Sequence, residues 1–232
     1  MTGSSGRTID AVLLDIEGTT TPIAFVCDVL FPFARAHLRE HLDDPAHAAD
    51  AETVTAALKS EDAWRGSVHA SVEWLMDRDV KSPALKDLQG RIWEHGYRAG
   101  ALKGEIFPDV APAIHRWRGH GIDVAIYSSG STLAQRLLFE STPDGDLTPW
   151  LSGFFDTAAG AKVSPDSYGR IAGLMGHAPG RVLFISDVTR ELTAARQAGL
   201  QVLLAIRPGN PGQSDASDFD AIRSFDEIQT TG

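Results

Sequence analysis

The chain has 232 residues, 43% hydrophobic and 22% charged, which suits a folded protein with a real core: one domain plus an insert, or two small domains. A formal net charge of -10 argues against nonspecific binding to nucleic acid or to an anionic membrane surface. One cysteine, Cys27, rules out an internal disulfide and fits a reducing cytosol, and no apolar run approaches the about 18 residues that a membrane span requires.

In chain order, the Gly-Ser-Ser-Gly stretch at 3–6 reads as a flexible tail or an expression scar, and no signal peptide is expected because no long apolar segment follows it. Ala11–Leu14 (AVLL) is a continuous apolar run, the pattern of a strand covered on both faces. From about Thr21 to Gly104 there is no convincing strand. Phe25, Val26, Val29, Leu30, Phe33 and Leu38 have helical spacing, as do Trp64, Val68, Val72, Leu75 and Met76, then Leu85, Leu88, Ile92 and Trp93. This segment reads as an insert of about four helices.

Beyond it, helix and strand alternate. A helix over Asp109–His120 precedes the strand Val124–Tyr127, and a helix over Ser131–Glu140 follows. Gly153–Thr157 is a weaker strand. Helices over Pro165–Met175 and Thr189–Ala198 flank the strand Val182–Ile185, and Val202–Ile206 is the last strand read. Gly121 and Gly199 sit where helix C-caps belong. Pro208–Ser217 reads as a surface loop. The fold class expected is α/β, a doubly wound parallel sheet with an all-helical cap inserted after the first strand. The expected domains are 1–21 with 105–232, forming the catalytic core, and 22–104, forming the cap.

In open α/β sheets ligands bind beyond the C-terminal ends of the strands, so the residues following each apolar run define one crevice. They are Asp15, Glu17 and Thr19 after the first run, then Ser128, Ser129 and Gly130, then Gly160 and Lys162, then Ser186, Asp187 and Glu191. Carboxylates that close repel each other unless a cation or proton offsets them. Together with two hydroxyls and an ammonium they suit Mg²⁺ and a phosphate. A carboxylate such as Asp15 can attack phosphorus to form an acyl phosphate that water later hydrolyses. Glu17, two residues on across a turn that Gly18 permits, can protonate the leaving oxygen and then deprotonate that water. Ser128, with N–H groups at the start of the next helix, can hold the phosphoryl group. Lys162 offsets its charge, and Asp187 completes the Mg²⁺ site.

Asp15-Ile16-Glu17-Gly18-Thr19, Ser128-Ser129-Gly130, Lys162 and Ser186-Asp187 together resemble the four-motif pattern of the haloacid dehalogenase superfamily. The usual first motif there is Asp-x-Asp-x-Thr, and Glu17 departs from it by one methylene. With that departure, LLDIEGTTTPIAFVCDVLFPFA is similar to the enolase-phosphatase (acireductone synthase) family of methionine salvage. So are KSPALKDLQGRIWEHGYRAGALKGEIFPDV and FDTAAGAKVSPDSYGRIA, and the similarity spans nearly the whole chain. The resemblance implies a haloacid dehalogenase-like core and a cytoplasmic Mg²⁺ enzyme. Its substrate is 2,3-diketo-5-methylthiopentyl 1-phosphate, which it enolises and dephosphorylates to acireductone. It implies Asp15 as nucleophile and Mg²⁺ ligand, Glu17 as acid/base and, through its backbone carbonyl, Mg²⁺ ligand, Asp187 as the remaining ligand, and Ser128, Ser129 and Lys162 as phosphate contacts. A monomer is expected, with the cap closing over the crevice and selecting the substrate. Cys27 stands where the family pattern has histidine, and the Ala158–Ser164 stretch is richer in alanine than that pattern.

Four other readings compete. His37-Leu38-Arg39-Glu40-His41 fits the H-x-x-E-H zinc-peptidase pattern, but it lies in the insert, away from the strand ends. A phospho-receiver module needs no insert of about 80 residues. A carbon–halogen hydrolase has no use for Glu17 or Mg²⁺. A dinucleotide-binding module requires a G-x-G-x-x-G after the first strand, which is absent.

Overall fold

The computed structural model describes residues 8–78, 80, 82–213 and 215–229. The Gly-Ser-Ser-Gly stretch at 3–6 lies outside them, as does residue 214 of the 208–217 loop. The chain divides into two compact units, Met1–Phe25 with Lys103–Gly232, and Val26–Leu102.

Along the chain, β1 (Ala11–Leu14) and a single turn, α1 (Ile23–Phe25), open the first unit. The second unit is all-helical: a π-helical turn (Val26–Leu30), then α2 (Phe31–Asp43), α3 (Ala48–Ser60), α4 (Val68–Asp77) and α5 (Pro83–Arg98). The first unit resumes with α6 (Val110–Gly119), β2 (Asp123–Tyr127), α7 (Thr132–Glu140), β3 (Gly153–Phe155) and α8 (Pro165–Leu174). It ends with β4 (Val182–Ser186), α9 (Thr189–Gln197), β5 (Gln201–Ala205) and β6 (Ala221–Ile222).

The six strands form one parallel sheet in the order β3-β2-β1-β4-β5-β6. Successive side chains alternate between faces. Ala11, Leu13, Ala125, Tyr127, Val182, Phe184, Val202 and Leu204 pack with Tyr168, Ile171 and Ala172 of α8 and with Leu192 and Ala195 of α9. Their alternates, Val12, Leu14, Val124, Ile126, Leu183, Ile185 and Leu203, are as deeply buried on the opposite face. Double coverage is why these strands read as unbroken apolar runs. β6 escapes that reading because only two residues pair, and one of them, Ala221, is exposed.

In the helical unit, α2 buries Ala34, Leu38, His41 and Leu42, and α5 buries Leu85, Leu88, Ile92 and Trp93. The Trp93 indole N–H donates to Leu30 O at 2.7 Å. The structure corrects two details of the periodicity. Trp64 precedes α4, whose start is fixed by Ser67 accepting the Ala70 N–H at 3.1 Å, a cap that outweighs the apolar spacing upstream. Val29 is 40% exposed, because the π-helical turn rotates it off the stripe. α3 gave little periodic signal because it buries only Val54 and Leu58 among its alanines and polar residues. Among the described residues no helix is long and apolar enough to cross a membrane.

Candidate active site

The strand order reverses between β1 and β4, since the chain winds outward from β1 through β2 to β3 and outward from β4 through β5 to β6. Such a switch point opens a crevice at the C-terminal strand ends. Asp15 directly follows β1 and Asp187 directly follows β4, so the two carboxylates flank it.

Asp15 is 4% exposed, and its backbone N–H donates to Ile185 O at 3.0 Å, prolonging the β1–β4 ladder by one residue. Its Oδ1 accepts the Ile16 N–H at 2.8 Å and lies 2.6 Å from Lys162 Nζ. Its Oδ2 lies 2.9 Å from Ser186 Oγ. Lys162 Nζ is also 2.6 Å from Glu191 Oε2, which in turn lies 3.1 Å from Ser186 Oγ. Asp15, Lys162, Ser186 and Glu191 therefore form one bonded cluster drawn from β1, the loop before α8, β4 and α9.

The electrostatics follow from burial. Burial alone would lower the Lys162 pKa, but the charges of Asp15 and Glu191 outweigh it and hold the ammonium above the ordinary lysine range. Glu191 moves up: burial and the Asp15 charge together exceed the pull of Lys162. Asp187, 6% exposed, is pushed up to about 7 by burial first, then by Asp15, with Glu17 adding to it and Lys162 opposing. One ammonium cannot neutralise this many carboxylates.

That deficit is where a cation fits. Among the described residues no three His, Cys, Asp or Glu side chains converge as a ligand cage. Mg²⁺ does not need one, since it takes one or two carboxylates with waters and substrate phosphate oxygens. Asp15 and Asp187 supply hard oxygen donors, and the raised Asp187 is the carboxylate short of a counter-charge.

The loop after β1, residues 15–21, is a tight turn. Ile16 O accepts the N–H groups of Thr19, Thr20 and Thr21 at 3.1, 3.0 and 2.9 Å, and Gly18 N–H donates to Thr21 O at 2.8 Å. Thr20 Oγ1 donates back to Asp15 O at 3.0 Å. The threonine row is thus buried packing for the turn. Gly18 has φ +68, and a Cβ there would lie 2.3 Å from Asp187 Oδ2. Both conformation and space demand glycine. If Asp187 holds Mg²⁺, Gly18→Ala is expected to lower Mg²⁺ affinity at least about tenfold by displacing it, and to destabilise the fold by about 1–2 kcal/mol for the left-handed backbone. A calorimetric Mg²⁺ titration and a melting curve, both at the parent's values, would contradict this account.

Glu17 is exposed on this turn, and its charge reaches Asp187. Ser128, 4% exposed, follows β2, where its N–H donates to Phe155 O at 3.1 Å and its Oγ accepts the Gly130 N–H at 3.2 Å. Ser129 is half-buried beside it. The cap of α7 is Ser131, whose Oγ accepts the Ala134 N–H at 3.2 Å, so the 128–130 turn stands before the helix rather than opening it.

Sequence reasoning missed the groups that hold these loops. Three hydroxyls clamp three consecutive carbonyls of the Lys162 loop. Tyr127 donates to Gly160 O at 3.0 Å, Ser167 to Ala161 O at 2.8 Å and Tyr168 to Lys162 O at 2.6 Å. Gln135, 1% exposed, donates from Nε2 to Gly130 O at 3.0 Å and to Phe155 O at 2.9 Å, tying the serine turn to β3. No spacing rule points to them: Tyr127 and Gln135 reach carbonyls 33 and 20 positions away, and the bonds of Ser167, Tyr168 and Gln135 across six, six and five positions match no helix or strand period. The zinc-peptidase pattern does not assemble. His37 Nδ1 bonds its own helix at Phe33 O (2.9 Å), while buried His41 faces Asp50 with 3.5 Å between Nε2 and Oδ2.

The description of a haloacid dehalogenase-like hydrolase matches residues 9–199. An enolase-phosphatase E1 of Synechococcus elongatus is 47% identical over 95% of this chain and 98% of its own length. One from Salmo salar is 41% identical over 96% and 95%. The crystal structure of the UTR4 protein of Saccharomyces cerevisiae superposes with a TM-score of 0.81 at 34% identity, covering 95% of this chain and 100% of that one. CbbY of Rhodobacter sphaeroides, at 21% identity over 94% and 96% with a TM-score of 0.61, shares the fold. Identity this high over almost full length decides the family: the chain belongs to the haloacid dehalogenase-like hydrolases and, within them, to the enolase-phosphatases.

Proposed function

We propose that this enzyme is a Mg²⁺-dependent, bifunctional enolase-phosphatase. It converts 2,3-diketo-5-methylthiopentyl 1-phosphate to acireductone (1,2-dihydroxy-3-keto-5-methylthiopentene) and phosphate in L-methionine salvage. The observation that carries the reading is the buried Asp15 carboxylate at the switch point, 2.6 Å from Lys162 and flanked by Asp187, in a chain 47% identical to a named enolase-phosphatase. Cytoplasmic location and a monomeric state belong to the same reading.

In this reading an Asp15 oxygen attacks phosphorus and the P–O bond to the substrate carbon skeleton breaks. Glu17 gives its proton to the departing oxygen, leaving an aspartyl phosphate. Glu17 then takes a proton from water, whose oxygen attacks the same phosphorus and returns Asp15 as carboxylate. Lys162 offsets charge on the transferring phosphoryl group, and Ser128 and Ser129 hold its oxygens. Asp15, Asp187 and the Glu17 carbonyl would hold Mg²⁺, which would supply charge neutralisation for the phosphoryl group and for developing charge on the substrate oxygen. In the enolisation that precedes hydrolysis, Glu17 is the leading candidate for the base that takes the proton next to the ketone; the C–H electron pair moves into the new C=C bond and the ketone oxygen takes up a proton from solvent to give the enol.

The test is incubation with the diketone phosphate and Mg²⁺ while phosphate and acireductone are measured together. Equal yields of both, abolished by chelation, are expected. Phosphate release without the enol product would reduce the enzyme to a plain phosphatase.

A further inference from the structure

Each carbonyl of the nucleophile loop from Gly18 to Thr20 is held by a donor remote in sequence. Asn210 Nδ2 donates to Gly18 O at 2.8 Å, Arg207 Nε to Thr19 O at 3.0 Å, and the Phe107 N–H to Thr20 O at 2.9 Å. Two of the three come from the loop after β5, which carries none of the catalytic groups.

Arg207 is built in firmly. It is 5% exposed, and its guanidinium lies between the rings of Phe107 and Phe225, 4.7 and 4.4 Å from their centroids. Its Nη1 donates to Asp109 Oδ2 at 2.8 Å and to Arg223 O at 2.9 Å. Asp109 Oδ2 also accepts the Phe225 N–H at 2.6 Å and lies 3.2 Å from Ser224 Oγ. The C-terminal segment therefore braces Asp109 and Arg207, and Arg207 braces the turn. Asn210 hangs from the same loop, its N–H donating to Arg207 O at 3.2 Å.

Gly18 is the residue whose α-carbon approaches Asp187 too closely for any side chain. A grip on its carbonyl fixes the Gly18–Thr19 peptide, next to the α-carbon that meets Asp187 and one residue beyond Glu17. We infer that Arg207 and Asn210 are positioning residues: they lock the 16–21 turn, and so fix Asp15 and Glu17 relative to Asp187. Neither touches the reacting atoms. The inference rests on the enolase-phosphatase reading for its kinetic consequence, but its structural claim stands apart from it.

The experiment uses the full chain with Asn210→Leu, which keeps the volume and removes the donor, and with Arg207→Lys, which retains the charge but loses the planar fork. Hydrogen–deuterium exchange of the peptide covering Gly18–Thr21 reads the turn directly. Phosphate release from the diketone phosphate supplies kcat and KM. The expected result is amide exchange at least about tenfold faster in that peptide, with kcat lowered about 10- to 100-fold and KM within about twofold, as for a small misplacement of reacting groups. A role confined to overall stability would shift the melting temperature and leave kcat of the folded protein at the parent value, overturning the inference. Parent-like exchange at Gly18–Thr21 overturns it as well. If the parent itself releases no phosphate from this substrate, the functional reading fails, and the exchange arm still decides whether the clamp exists. Should Arg207→Lys not fold, Asn210→Leu, at a half-buried site, carries the test alone.

Discussion

Lys162→Met should destabilise the protein by about 3–5 kcal/mol and remove phosphatase activity. The ammonium sits 2.6 Å from both Asp15 and Glu191, with only 10% of its side chain exposed. Methionine fills similar volume, so the loss is electrostatic: two buried carboxylates face each other without a counter-charge. Glu191, already shifted upward by burial and by Asp15, can escape by taking a proton, which places the cost toward the lower end of that range. An acid with a raised pKa in the folded state loses stability as the pH climbs toward that pKa, so the deficit should widen between about pH 6 and about pH 9. Adding Glu191→Gln to Lys162→Met should recover part of it. Denaturant unfolding of the parent, both single variants and the double variant at the two pH values measures each term. A Lys162→Met protein as stable as the parent at pH 9 would show that solvent, rather than the lysine, neutralises this cluster.

Asp15→Asn should lower phosphate release by at least roughly 10³-fold, the scale on which removal of a catalytic nucleophile acts. An amide of the same shape can still accept from Ser186 Oγ, and Lys162 keeps Glu191, so the fold should survive. What disappears is the carboxylate proposed to attack phosphorus. Enolisation moves a proton on carbon and needs a base instead, so the two half-reactions should separate. In D₂O the variant should exchange the proton next to the ketone and accumulate the phosphorylated enol, whereas Glu17→Gln should depress both steps. NMR of the substrate beside a phosphate assay reads both. Near-normal phosphate release by folded Asp15→Asn excludes Asp15 as the nucleophile. No exchange in that variant, despite normal Mg²⁺ and substrate binding, would mean that Asp15 serves both reactions. Exchange at the parent rate in Glu17→Gln would remove Glu17 as the base.

The strand-end logic and its limits are visible in the same residues. The runs at Ala11–Leu14, Val124–Tyr127, Val182–Ile185 and Val202–Ile206 are apolar throughout because both sheet faces are covered, so their residues alone declare buried parallel strands. Once strands are placed, the rule that ligands collect beyond their C-terminal ends directs attention to Asp15, Ser128, Lys162 and Asp187. That much is local information, written in composition and period.

The contacts that hold these residues in register are not local. Arg207 meets Thr19 O across 188 positions, and Asn210 meets Gly18 O across 192. Tyr127 and Gln135 read as ordinary strand and helix residues, yet their polar ends reach Gly160 O across 33 positions and Phe155 O across 20. A donor aimed at a distant backbone carbonyl leaves no periodicity, because nothing near it in sequence changes when the bond forms. β6 is invisible for the related reason that two paired residues are too few to show a pattern. Residue types and spacing determined by themselves the sheet, the all-helical insert and the acids at the strand ends. Only the tertiary structure decided that Lys162 bridges Asp15 and Glu191, that Gly18 must yield its space to Asp187, and that the loop after β5 grips the Gly18–Thr19 turn, because each depends on chain segments brought together by packing rather than by sequence.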